Sequence, residues 1–81
     1  MTRIIGRPVP VKTSKEGDPV AFRYKGWRRV ARILDRWNEA GEWWEGKGER
    51  KMFRVWADGG GVFELELDPA SGRWSLYKAY D

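Results

Sequence analysis

Six cationic side chains fall between residues 23 and 36, namely Arg23, Lys25, Arg28, Arg29, Arg32 and Arg36, and within that stretch they face only Asp35. Guanidinium and ammonium groups at this density attract polyanions, phosphates above all, through contacts that give salt-dependent affinity rather than sequence readout. Trp27 lies among them, and Trp43-Trp44 follow in a glycine-rich stretch. Aromatic rings beside cations can stack on unpaired bases. The same residues have a second reading, a solvated basic face that balances an acidic half within one small fold.

Residues that could support catalysis are scarce. The chain has no histidine and no cysteine, which excludes disulfides, thiolate metal sites and the commonest general base. Glu39, Glu42, Glu45 and Glu49 lie in a loop with no regular spacing to pair them for acid–base or metal work. Gly59-Gly60-Gly61 precedes no helix bearing Lys-Ser/Thr, so it reads as a hairpin loop rather than a phosphate cradle. The expectation is a non-enzymatic binding module with no cofactor and no metal.

Charge is unevenly placed. Residues 1–37 carry ten Lys/Arg against three acids, and residues 38–81 carry six against nine, for a net charge of +4. Six tryptophans in 81 residues supply large apolar surface to a chain that can bury only roughly 60% of what it exposes unfolded, so most of them are expected to be structural. The length suits a single domain over 1–81. No apolar run approaches membrane-spanning length and the N-terminus does not read as a signal peptide, so no membrane partner and a cytoplasmic location are expected.

Two turn signals define the C-terminal elements. Asp58 to Gly61 and Asp68-Pro69-Ala70-Ser71-Gly72 mark hairpins, predicting a three-stranded meander of about 51–58, 62–68 and 73–79. A three-residue loop at Gly59–Gly61 sets Phe53 opposite Leu67, Val55 opposite Leu65 and Ala57 opposite Phe63 on the inner face. On the outer face it sets Arg54 opposite Glu66 and Trp56 opposite Glu64, with Tyr77 continuing that row. Trp74 and Leu76 then join Leu67 and Leu65 inside.

Upstream, Val9 and Val11 between prolines suggest an edge segment, Val20–Tyr24 a strand, and Lys25-Gly26 a tight turn. Val30, Ile33, Leu34 and Trp37 follow helical spacing, yet the short turn before them favours an antiparallel strand. A bulged strand over 27–34 with one helical turn near 35–40 satisfies both signals. The fold class is mostly β: a small antiparallel sheet of five or so strands, bent or partly closed into a barrel, with or without one short helix.

Gly41-Glu42-Trp43-Trp44, Arg50, Phe53, Arg54, Gly60, Leu65, Asp68, Gly72-Arg73-Trp74, Leu76 and Tyr80 together resemble a small bacterial domain of unknown function. A similar pattern ends the catalytically inactive Y-family DNA polymerase homologues of the bacterial mutasome. The resemblance covers about residues 41–80, and more loosely 20–40, and implies a DNA repair context, without a defined activity. Two functions follow as expectations. One is binding of nucleic acid, single-stranded in preference, through Arg23, Lys25, Arg28, Arg29, Arg32 and Arg36 with Trp27, Trp43 or Tyr77 as a stacking ring. The alternative is a protein-interaction module that docks a partner, such as a repair protein, through exposed aromatics.

Overall fold

A computed structural model of the protein describes residues 2–40 and 48–80. Seven strands form it: β1 (Thr2–Pro8), β2 (Val11–Thr13), β3 (Pro19–Arg23), β4 (Trp27–Glu39), β5 (Arg50–Ala57), β6 (Val62–Asp68) and β7 (Arg73–Tyr80). All neighbours pair antiparallel, in the order β1-β7-β6-β5-β4-β3-β2. No helix occurs among the described residues, so the expected helical turn near 35–40 is replaced by strand.

β1 and β2 are the two edges of this sheet, yet only Val9 and Pro10 join them. Pro8 and Val11 are three residue steps apart and so at most about 11 Å, and the sheet has to curl until its edges meet at one end. The link bonds to both sides of the seam: the Val9 amide donates to the Trp74 carbonyl, and the Arg23 amide donates to the Pro10 carbonyl. Rings across the interior agree, with Phe22 of β3 edge-on to Phe63 of β6 at 5.1 Å although two strands separate them in the sheet. The result is a half-barrel.

Its concave side holds the core, where Phe22, Phe53, Val55, Ala57, Phe63, Leu65, Leu76 and Ala79 are buried and Val30, Ile33 and Trp74 pack on them half-buried. Alternation along β5 and β6 puts these residues inside and Arg50, Met52, Arg54 and Trp56 on the convex side.

The meander forms as expected in its faces and differs in its first register. Phe53 pairs with Leu65, Val55 with Phe63, Arg54 with Glu64 and Trp56 with Val62, two residues away from the expected partners. The cause is a turn of the same length placed one residue earlier, centred on Gly59 rather than Gly60. The Gly60 amide donates to the Ala57 carbonyl and the Ala57 amide to the Gly61 carbonyl, while Gly59, Gly60 and Gly61 all take positive φ (86°, 104° and 98°). Only glycine adopts three such conformations in succession at little cost. An even shift keeps every side chain on its face, so the core is unaffected. The second hairpin has the expected register, with Leu67 beside Trp74 and Leu65 beside Leu76, until a bulge at Tyr77. Lys78 and Tyr80, rather than Tyr77, then lie opposite Glu64 and Val62.

β4 explains the helical periodicity. Its ladder to β5 skips Ala31 and Leu34, and each skipped residue turns an alternation of two into a step of three. Val30 and Ile33 therefore both face inward, as they would on a helix.

Candidate nucleic-acid interface

The bulges of β4 sort the basic cluster between the two faces of the sheet. Arg28 pairs with Phe22 and points to the concave side, where its Nε donates to the Tyr24 carbonyl at 2.8 Å and its guanidinium lies 5.4 Å from the Phe63 ring. It caps the open core. Arg36, opposite Phe53, is on the same side and binds Asp18 through Nη2 at 3.1 Å. Both have partners within the fold.

Arg23, Trp27 and Arg29 have the other parity, since Arg23 pairs with Trp27 and Ala21 with Arg29. Beyond the first bulge Arg32 pairs with Trp56 on that convex side, and Lys12 of β2 joins it through its pairing with Ala21. Lys12 Nζ stands 4.8 Å from the centre of the Trp27 ring. Arg23, Arg29 and Arg32 are exposed and form no ion pair among the described residues. The two rings stand out of the surface, with Trp27 51% and Trp56 42% exposed. Together they leave a large apolar area in solvent in a domain that has little apolar surface to spare.

Farther along the same convex face the character changes. Arg54 lies 5.3 Å from the Trp37 ring and 5.9 Å from the Tyr80 ring, and donates from Nε and Nη2 to Glu64. Tyr80 also donates its hydroxyl proton to Glu64, and Arg50 pairs with Glu66 at 3.2 Å. Hydrogen bonding to Glu64 raises the Arg54 pKa and pushes the Tyr80 phenol above its ordinary value. Here charges are matched, whereas over β2, β3 and the first half of β4 they are not.

Not every expected residue joins the face. Lys25 sits in the turn with φ 54°, its ammonium 5.5 Å from the Tyr24 ring. Tyr77 lies on β7, three strands from β4, against Lys78 at 5.6 Å. Trp43 lies outside the described residues. Trp56 and Lys12 complete the face and were not among the expected site residues. The signal for Trp56 was available in its outward alternation on β5; that for Lys12 needed the pairing of β2.

Antiparallel strands closed to a half-barrel, with aromatic rings and unpaired cations on the convex sheet, define a small all-β domain. The chain belongs to the family described as Domain of unknown function (DUF6504), whose model matches residues 1–81. No curated protein and no solved structure matches it.

Proposed function

We propose that this protein binds single-stranded nucleic acid on the convex face of β2, β3 and β4. Trp27 and Trp56 stack on bases, and Lys12, Arg23, Arg29 and Arg32 contact phosphates. The observation that carries this reading is the coexistence of two exposed tryptophans with arginines that have no internal ion-pair partner. Had those arginines been matched to the acidic half, as Arg54 and Arg50 are, the face would have favoured docking of a protein instead.

Five residue steps along β4 lead from Trp27 to Arg32, the partner of Trp56, which sets the rings roughly 15 Å apart along the strand. That spacing accommodates a short run of nucleotides rather than two adjacent bases. A convex sheet presents its rings to unstacked bases and cannot enter a duplex groove with a helix or projecting ribbon, so single strands are preferred. The resemblance of residues 41–80 to the tails of inactive polymerase homologues supports DNA repair as the setting.

Fluorescence anisotropy of a labelled oligo-dT strand, with a duplex of equal length as comparison, tests the proposal. Saturable binding at low salt with a preference for the single strand is expected. No binding to either would overturn it and leave the protein-docking reading.

A further inference from the structure

At the seam where the sheet edges meet, a cleft of about 350 Å³ is lined by Arg7, Pro8, Val9, Pro10, Arg23, Tyr24 and Lys25. Three cations from separate segments line it, Arg7 at the end of β1, Arg23 at the end of β3 and Lys25 in the following turn. No carboxylate does. None of the three forms an ion pair among the described residues. Two of them gather on the Tyr24 ring, with Arg7 at 5.4 Å and Lys25 at 5.5 Å from its centre, and Arg28 approaches the same ring at 5.8 Å.

Like charges brought together without counter-charge destabilise the fold, and contacts with a ring face offset that only in part. The chain moreover holds Lys25 at a positive φ that a side chain rarely adopts, beside Gly26, which has no such difficulty. A concave site with several unmatched cations and no acid is built for a compact, multiply charged anion. We propose that this cleft holds the terminal phosphate of a nucleic-acid strand. A phosphomonoester carries about −1.5 to −2 charges at neutral pH and three acceptor oxygens, which suits a fork from Arg7 or Arg23 together with the point charge of Lys25. An internal phosphodiester has one charge and is sterically flanked on both sides.

The inference rests on the nucleic-acid reading above, because Arg23 belongs to both sites: it lines the cleft and pairs with Trp27 on the convex face. A strand whose end is seated at the seam would run out along β4 past Trp27 toward Trp56. The cleft thereby gives the face a polarity that four dispersed cations would not.

The experiment compares oligo-dT strands of one length bearing a 5′-phosphate, a 3′-phosphate or hydroxyls at both ends, with thymidine monophosphate as a competitor. One of the phosphorylated strands should bind about tenfold tighter than the hydroxyl strand. Arg7→Gln should abolish that preference while leaving the affinity for the hydroxyl strand unchanged. Lys25→Gly should reduce the preference too, and it removes the charge from a backbone that glycine fits, so a loss of folding cannot account for the result. Equal affinity of all three strands would overturn the terminal-phosphate site and leave the convex face standing. Competition by the free monophosphate without any preference among the strands would likewise overturn it, assigning the cleft to a small nucleotide. Failure of every strand to bind would remove both proposals.

Discussion

Arg54 and Glu64, directly opposed on β5 and β6, share two hydrogen bonds of 3.2 Å from Nε and Nη2 to a single carboxylate oxygen. Glu64 is 3% exposed although it lies on the face away from the core. Its carboxylate accepts hydrogen bonds from Arg54 and from the Tyr80 hydroxyl. A pairing of Arg54 with Glu66, as first read from the turn, would have left an exposed pair worth little; a two-residue shift of the hairpin makes it a buried carboxylate that needs its partner.

Arg54→Ala should therefore destabilise the domain by about 1–3 kcal/mol, a figure at the lower end for buried pairs because Arg54 remains partly in solvent. Adding Glu64→Gln to that variant should recover part of the loss. Chemical denaturation of the single and double variants checks this.

Tyr80 supplies a pH signature. Its phenol is raised above the ordinary value of 10.0 by the hydrogen bond to Glu64, so the folded state holds its proton more tightly than the unfolded chain. The stabilisation is complete below the unfolded pKa and is lost as pH climbs through the higher folded one. Tyr80→Phe should cost about 0.5–1.5 kcal/mol at neutral pH, and the gap between the two proteins should shrink above about pH 10. Melting temperatures measured from pH 8 to 11 give the comparison.

Phe22 closes the half-barrel against Phe63, and it is completely buried. Phe22→Ala should cost about 3–5 kcal/mol, a large part of what so short a chain has available. Trp74→Ala should cost less than the full burial expected from its inner position, since Trp74 is only half-buried beside Phe53 at 5.4 Å.

Gly61 should tolerate a side chain worse than its neighbours. An added Cβ would meet Phe63 Cε2 at 3.0 Å, whereas at Gly59 it would meet open space. Both positions have positive φ, so Gly59→Ala reports backbone strain alone and Gly61→Ala strain plus the collision. Unfolding free energies should fall in that order.

These relationships show which features were legible in the residues. The inner residues Phe53, Val55, Leu65 and Leu76 could be read from alternation, and an error of two in the hairpin register left them inside. β4 was harder, because bulges at Ala31 and Leu34 imitate a helical period and reverse the parity of whatever follows. The first reversal moves Arg32 to the convex side, and the second returns Arg36 to the concave side beside Asp18. β1 had little signal, since only Ile4 and Ile5 are apolar and Ile4 is exposed, 69%. The link between the two edges emerges only when the sheet order is known. For the candidate site, Arg23, Trp27, Arg29 and Arg32 were readable as a basic aromatic cluster. The separation of Arg28 from them was not, because Arg28 turns inward only through its pairing with Phe22.

The central claim is that unmatched arginines and exposed rings of the convex face act together on a single strand, and the salt dependence of oligo-dT binding tests it most directly. The logarithm of the dissociation constant should rise with the logarithm of salt concentration with a slope of about 0.7 per phosphate contacted. Replacing Arg29 and Arg32 with Ala should lower that slope by about one to two units, while Trp27→Ala should weaken binding by about 1–3 kcal/mol with the slope kept. A slope unchanged in the arginine variant, or binding insensitive to both sets of substitutions, would contradict the assignment of this face.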